Sequence, residues 1–447
     1  MILDTICAIS TAYGTAGISV IRVTGDEAIT KVNQIFQGKD LTKVETHTVS
    51  YGFILDEDNK AIDEVMIAVF KAPRSFTSEN MVEISTHGGI LVTNKVLKRL
   101  LSIGLRLANP GEFTERAFVH GRIDLAESEA VMDLINAKNE NAMKLAIHGL
   151  KGDTSKLIKE LRDKLLTIIA VIEVNIDYPE YDDTILMTNE IIKPEITKFI
   201  KELDTILKTA NKGRMIREGV KTAIIGKPNV GKSSLLNALL NEERAIVTNV
   251  AGTTRDTIEA NINIGGITLN LVDTAGIRET SDVVEQIGVK RSKKAIKEAE
   301  LIILVLDISE DLTSEDEELL KLTNDKVRII VGNKKDLGEK TYLKDIISLS
   351  VLNDEGLESL EDAIIKRLEL TEIGDDFNYI SNVRHIQKLE ETRNLMKEVI
   401  KSIDLGMPID MVEVDIKNAW QTLGEIIGEY HPEDLIKELF SKFCLGK

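Results

Sequence analysis

The sequence predicts a multidomain α/β and α protein: an amino-terminal α+β domain, then a discontinuous helical domain interrupted by an α/β domain with a mostly parallel sheet. Three observations carry this. Short β-type runs broken by turn residues fill positions 1–118, and apolar residues then recur at helical spacing from about Leu125. Strands alternate with helices between 216 and 375, after which helical spacing returns. The 447 residues allow two to four folded units at roughly 100–200 residues each. The expected domains are 1–118, the two helical parts 119–215 and 376–447, and the inserted 216–375. The helical parts are taken as one domain because an insertion needs neighbouring entry and exit points.

Element by element, Ile18–Val23, Glu64–Phe70 and Met81–Ser85 read as strands, and Ile90–Ile103 as a helix after the turn His87-Gly88-Gly89. Leu157, Leu161, Leu165, Ile168, Ile169 and Ile172 mark an amphipathic helix, and Ile191–Ala210 a second helical run. The character changes at Lys212-Gly213. Val220–Gly226 is a short apolar strand, and a helical pattern opens at Gly231. Ile258–Ile264 and Ile267–Val272 flank Gly265-Gly266, a hairpin signal. Leu301–Leu306 and Val327–Val331 look like buried strands, with helical patterns at Val284–Ala299 and Glu315–Leu322. A sheet of this kind is covered on both faces. After Asp376 the chain is helical to its end.

Hydrophobic residues make up 43% and charged residues 29%, enough for packed cores and against wholesale disorder. Acidic residues outnumber basic ones, 74 to 56, for a net charge of -18. The overall field therefore repels nucleic acid, and any such contact needs a local basic cleft. Two cysteines, Cys7 and Cys444, exclude a disulfide scaffold and a cysteine-rich metal site. No apolar run reaches the ~18–20 residues of a membrane span. The start carries Asp4 and no basic region, unlike a secretory signal. The terminal Cys444-Leu445-Gly446-Lys447 departs from a prenylation box at Gly446 and at its last residue. The expectation is a cytoplasmic protein with no membrane association.

Gly226-Lys227-Pro228-Asn229-Val230-Gly231-Lys232-Ser233 fits GxxxxGKS between a strand and a helix, the context this phosphate loop requires. Its backbone N–H groups cradle phosphates at a helix N-terminus. Lys232 is expected at the β- and γ-phosphates, Ser233 on Mg²⁺ and Ser234 beside them. Asp273-Thr274-Ala275-Gly276 follows a strand, as a magnesium- and γ-phosphate-sensing switch should. Asn333-Lys334-Lys335-Asp336 follows another, and the Asp336 carboxylate can accept from both donors on the edge of guanine. In this order the motifs indicate a Ras-like P-loop GTPase domain that selects GTP over ATP. Ser350 and Val351 are expected to support the base. The loop Thr248-Asn249-Val250-Ala251-Gly252-Thr253-Thr254 is expected to contact the nucleotide, Thr254 completing the Mg²⁺ shell. Ile277 stands where small signalling GTPases place a water-orienting glutamine. Glu285 could orient water instead, or could be an acidic residue favoured at a helix start.

At these residues the chain resembles the MnmE (TrmE) family of tRNA-modifying GTPases. The resemblance extends to Ile21–Gly25, Ala72–Thr77, His87–Gly89, Asn109–Thr114, Arg214–Gly219, Arg244–Asp256, Asp273–Glu279 and Phe443–Lys447. It implies that the amino-terminal domain binds a tetrahydrofolate derivative, 5,10-methylene- or 5-formyltetrahydrofolate, and mediates homodimerisation. It implies a heterotetramer with an FAD-dependent flavoprotein of the MnmG (GidA) type, with FAD held only by that partner. Together such proteins place a carboxymethylaminomethyl-type group on carbon five of the tRNA wobble uridine. By position, the resemblance implies K⁺ at Asn229, Thr248, Val250 and Thr253, and makes Glu285 the water-orienting residue. A monovalent cation beside the phosphates can offset developing charge as an arginine finger does.

The resemblance also implies folate contacts at Arg22, Glu83, Arg122 and Lys447, each otherwise an ordinary surface charge. Cys444 matches a terminal cysteine with a proposed role in the modification chemistry; the alternative is a small residue packed near the folate pocket. Ala12-Tyr13-Gly14-Thr15-Ala16-Gly17 departs from the family's Pro-Pro-Gly start, Ser350-Val351 from its Ser-Ala pair, and Arg122 from its frequent lysine. Two other readings stay open on the residues alone: a GTP-controlled assembly switch without folate chemistry, and a folate enzyme in which GTP only regulates.

Overall fold

A computed structural model describes residues 4–177, 189–241, 261–272, 295–341, 343–368, 380–430, 433–444 and 446. Contacts gather the chain into two compact units, Met1–Met132 with Gly424–Lys447, and Asp133–Leu423.

The first unit is built on a seven-stranded sheet of β1 (Ile6–Ile9), β2 (Ile18–Thr24), β3 (Phe36–Gln37), β4 (Thr48–Leu55), β5 (Ala61–Phe70), β6 (Met81–His87) and β7 (Arg106–Leu107). The order is β3-β4-β5-β6-β2-β1-β7, antiparallel except between β1 and β7. Alternation explains the layering: Ile21, Val23, Ile67, Val69, Val82 and Ile84 share a core with Val32 and Ile35 of α1 (Ala28–Ile35) and Val96 and Leu100 of α2 (Ile90–Ser102). The three expected strands and the expected helix are all present. The structure adds four strands, α1, and α3 (Glu112–Val119).

The last helix of the chain, Glu433–Ser441, packs within this first unit, against residues that include Leu125 at the start of α4 (Leu125–Asn136). Its Ile436 and Phe440, with Phe443, share an apolar cluster with Leu125 and Phe118. Gly111 makes the approach possible, since a Cβ there would meet the Phe440 carbonyl at 2.4 Å.

The second unit combines helices and a sheet. In chain order it holds α4 (Leu125–Asn136) in part, then α5 (Glu140–Leu150), α6 (Asp153–Asp177) and α7 (Asn189–Glu218). All six apolar positions of the expected amphipathic helix lie in α6, and Leu161, Leu165, Ile168, Ile169 and Ile172 are buried. The expected change of character at Lys212-Gly213 is absent: α7 runs on to Glu218. Gly213 is there for packing, because a Cβ would meet the Ile380 carbonyl at 2.5 Å.

The sheet contains β8 (Val220–Ile225), β9 (Asn261–Ile264), β10 (Ile267–Leu271), β11 (Leu301–Asp307), β12 (Arg328–Asn333) and β13 (Ile346–Ser348), in the order β13-β12-β11-β8-β10-β9. Only β9 and β10 pair antiparallel. Gly265 and Gly266 both take positive φ in their turn, as a tight hairpin with right-handed twist requires. Separate apolar clusters cover the two faces of the sheet. Helices α8 (Lys232–Asn241), α9 (Ser314–Leu322) and α10 (Leu357–Arg367) flank it, and α11 (Val383–Asp404) and α12 (Ile409–Ile427) follow. Asn139 ties α5 to the sheet, donating to the Ile216 carbonyl at 3.2 Å and to Thr268 Oγ1 at 3.0 Å. Among the described residues, no helix is long and apolar enough to cross a membrane.

Candidate functional site

The loop after β8 turns sharply between two glycines. Gly226 has φ 158°, and Gly231 has φ 97°, in the region that favours glycine. A Cβ on Gly226 would meet the Val305 carbonyl at 2.3 Å, and one on Gly231 the Asn333 amide nitrogen at 2.2 Å. Asn229 between them is left-handed, at φ 63°. Lys232 opens α8, and its ammonium donates to the carbonyls of Gly226 at 2.9 Å and Lys227 at 2.7 Å. Burial holds its pKa below the ordinary lysine value. Ser233 is half-buried and Ser234 exposed in the same first turn.

Asn333, at the end of β12, bolts this loop to its neighbours. Its amide donates to the Val230 carbonyl at 2.8 Å and accepts from Val351 N–H at 3.2 Å. Lys334 is left-handed at φ 66°, which turns the chain outward and leaves Asp336 exposed. The Asp336 carboxylate accepts from Ser350 Oγ at 2.5 Å, and Ser350 Oγ accepts from Asn353 N–H at 3.3 Å. Asn229 to Ser234, Asn333 to Asp336 and Ser350-Val351 are thereby linked at the ends of β8, β12 and β13. Thr248, Asn249, Val250, Ala251, Gly252, Thr253, Thr254, Asp273, Thr274, Ala275, Gly276 and Glu285 lie outside the described residues.

Two acids here were invisible to motif reading. Asp307, the last residue of β11, holds Lys334 Nζ at 2.6 Å. Asp316 holds Lys227 Nζ at 3.0 Å. The available signal was a lone acid closing an otherwise wholly apolar buried strand, Leu301–Leu306.

In the first unit, Arg22 and Glu83 stand directly opposite on β2 and β6 and form an ion pair at 2.8 Å. The Arg22 guanidinium lies 5.6 Å from the centre of the Phe76 ring and that of Arg122 lies 4.7 Å from it. Arg22 also donates to the Gly446 carbonyl at 3.5 Å. Gly446 fits there because it has no side chain: a Cβ would meet the Ile9 carbonyl at 2.4 Å. The structure thus brings Arg22, Glu83, Arg122 and Gly446 together, with Phe76, part of the Ala72–Thr77 run but given no role in the sequence reading, as a platform shared by the two arginines. Lys447 lies outside the described residues. Cys444 is exposed, and its carbonyl accepts from Gly111 N–H at 3.3 Å. Cys7 is the buried cysteine, with burial pushing its thiol up to about 12.

The family described as MnmE helical domain matches residues 125–444, and that described as GTP-binding protein TrmE N-terminus matches residues 5–122. Among curated relatives, "tRNA modification GTPase MnmE" of Acholeplasma laidlawii is 59% identical over the whole of both chains. The proteins of that name from Aster yellows witches'-broom phytoplasma and Bacillus cytotoxicus are 52% and 50% identical, again over the full length of each. With two family matches that together cover almost all of its length, and relatives this similar from end to end, the chain belongs to the MnmE family.

Proposed function

We propose that the protein is a K⁺-stimulated GTP hydrolase of tRNA modification. With an FAD-dependent MnmG/GidA-type partner it adds a carboxymethylaminomethyl-type group to carbon five of the wobble uridine. The observation that carries the hydrolase reading is the bolted loop: one asparagine, Asn333, joins the phosphate loop at Val230 to the guanine-side loop at Val351. The phosphate and base sites are then a single rigid receptor, and the names of the full-length relatives supply the reaction class.

The residue types suit GTP with Mg²⁺. Gly226 and Gly231 permit the tight turn of a loop whose backbone N–H groups suit phosphate oxygens, Lys232 supplies a cation, and Ser233 with Thr254 supplies hydroxyls for Mg²⁺. Asp336 accepts from the guanine edge, and Ser350 orients that carboxylate. Asn229, Thr248, Val250 and Thr253 offer oxygens suited to K⁺, and Glu285 orients the attacking water.

For the folate derivative, the paired guanidinium groups of Arg22 and Arg122 suit a glutamate-tail carboxylate or ring oxygens, and Phe76 gives a flat apolar face. Lys447 adds a further cation and Glu83 an acceptor for pterin N–H groups. The bound folate supplies the one-carbon unit, and Cys444 takes part in the modification chemistry. The protein works in the cytoplasm as a homodimer that joins the flavoprotein in a heterotetramer.

The test is a reconstituted reaction with tRNA, the flavoprotein, GTP and methylenetetrahydrofolate, followed by mass spectrometry of the nucleosides. Modified wobble uridine is expected only when this chain is present, and GTP turnover is expected to slow substantially when Na⁺ replaces K⁺. Equal modification without the chain, or equal rates in both salts, refutes the corresponding half.

A further inference from the structure

We propose that the segment Asp307–Asp316 is a clasp that positions the nucleotide site, with Asp316 acting on the phosphate loop through Lys227 and Asp307 on the base loop through Lys334. This rests on the nucleotide reading above. Asp316 is the third residue of α9, and its carboxylate completes a capping box with Thr313. One oxygen, Oδ2, accepts from Thr313 N–H at 3.0 Å, Thr313 Oγ1 at 2.7 Å and Lys227 Nζ at 3.0 Å. The other, Oδ1, is buried with no hydrogen-bond partner.

A capping box needs an acceptor but not a charge, and a carboxylate only 3% exposed is costly unless a cation offsets it. Lys227 is that cation. Its backbone carbonyl in turn accepts from Lys232 at 2.7 Å, so a continuous line runs from Asp316 through Lys227 to the lysine assigned to the phosphates. At the other end, Asp307 is 5% exposed, pairs with Lys334 and accepts from Ser309 N–H at 3.0 Å and Ser309 Oγ at 2.6 Å. The two lysines sit beside strands β8 and β12, which β11 separates. The two ends of one ten-residue segment therefore each hold a lysine of one half of the receptor.

The experiment measures release of a fluorescent GDP from the full chain by stopped flow, with thermal unfolding of each nucleotide-free variant as control. Asp316→Asn and Lys227→Met are each expected to speed release about tenfold, the scale of one lost charge-assisted bond. Because they break one line, the double variant should be no faster than the quicker single variant. Asp316→Glu should recover part of the loss, and Asp307→Asn should combine additively with Asp316→Asn. A change in release with unfolding temperatures held near wild type marks positioning, whereas a change that only tracks a lowered unfolding temperature in both Asp316→Asn and Lys227→Met overturns the clasp. Unchanged release in both Asp316→Asn and Lys227→Met overturns the clasp while leaving the nucleotide reading intact. Failure of the wild type to retain GDP overturns both.

Discussion

Gly231 shows how much a single missing methyl group decides. Its φ of 97° disfavours any side chain, and a Cβ would press on the Asn333 amide at 2.2 Å, the same amide that donates to Val230. Gly231→Ala is therefore expected to lower stability by about 1–3 kcal/mol through backbone strain and to break the Asn333 bolt. Urea midpoints of the nucleotide-free protein check it, and an unchanged midpoint would remove the steric account. The glycine itself is legible in the sequence, because a phosphate loop demands it there. Its contact is not, because Asn333 lies far along the chain and only the parallel alignment of β8, β11 and β12 brings it near. The same limit hid Lys227 and Asp316, whose pairing is a property of the fold and not of either motif.

Helix α3 was legible only as part of a family motif, since its buried positions mix Phe113 and Ala117 with Glu112, Thr114 and Arg116. Arg116 is wholly buried. One short apolar pair interleaved with buried polar residues gives an apolar-periodicity reading too little signal over eight residues. Strand β4 fails for a related reason: Val49 and Tyr51 face out while Ser50 and Gly52 face in, inverting the usual alternation. Arg116 donates to Asp4 Oδ1 at 2.8 Å, to Glu112 at 2.9 Å and to Glu79 at 3.2 Å. Removing it leaves the buried Glu79 without its arginine counter-ion and takes one of two arginines from Glu112, so Arg116→Met is expected to cost about 3–5 kcal/mol.

The pH dependence of that network follows from Glu112. Burial alone would raise its pKa, but bonds from Arg106, the Asn109 backbone and Arg116 outweigh burial and hold it below the usual range. A depressed carboxylate contributes stability above its unfolded pKa of about 4.3, and that contribution drains as pH falls toward the folded value. Glu112→Gln should therefore lower the urea midpoint at pH 7, and the gap to wild type should shrink below about pH 4. A gap that stays constant with pH would contradict the assignment.

At the scale of the whole molecule, the first unit is assembled from both ends of the chain, Met1–Met132 and Gly424–Lys447. Turn-bounded β-type runs made three of its seven strands, β2, β5 and β6, readable. Which core the last helix joins could not be read, because an amphipathic stripe says that a face is buried without saying against what. Phe440, 1% exposed, is the anchor: its ring lies 6.2 Å from that of Phe118 and 5.0 Å from that of Phe443. Truncating a buried Phe costs about 3–5 kcal/mol. That loss falls on the segment carrying Gly446, whose carbonyl accepts from Arg22 in the candidate folate cluster. Phe440→Ala is therefore expected to raise hydrogen exchange in α3 and in the terminal residues, and to weaken binding of 5-formyltetrahydrofolate. Exchange in β11, at the centre of the second unit's own core, should keep its wild-type protection, since local opening follows the contacts of each cooperative unit. Equal loss of protection in β11 would mean that the tail supports the entire chain, and undiminished folate affinity would mean that the Gly446 contact has no part in the cluster.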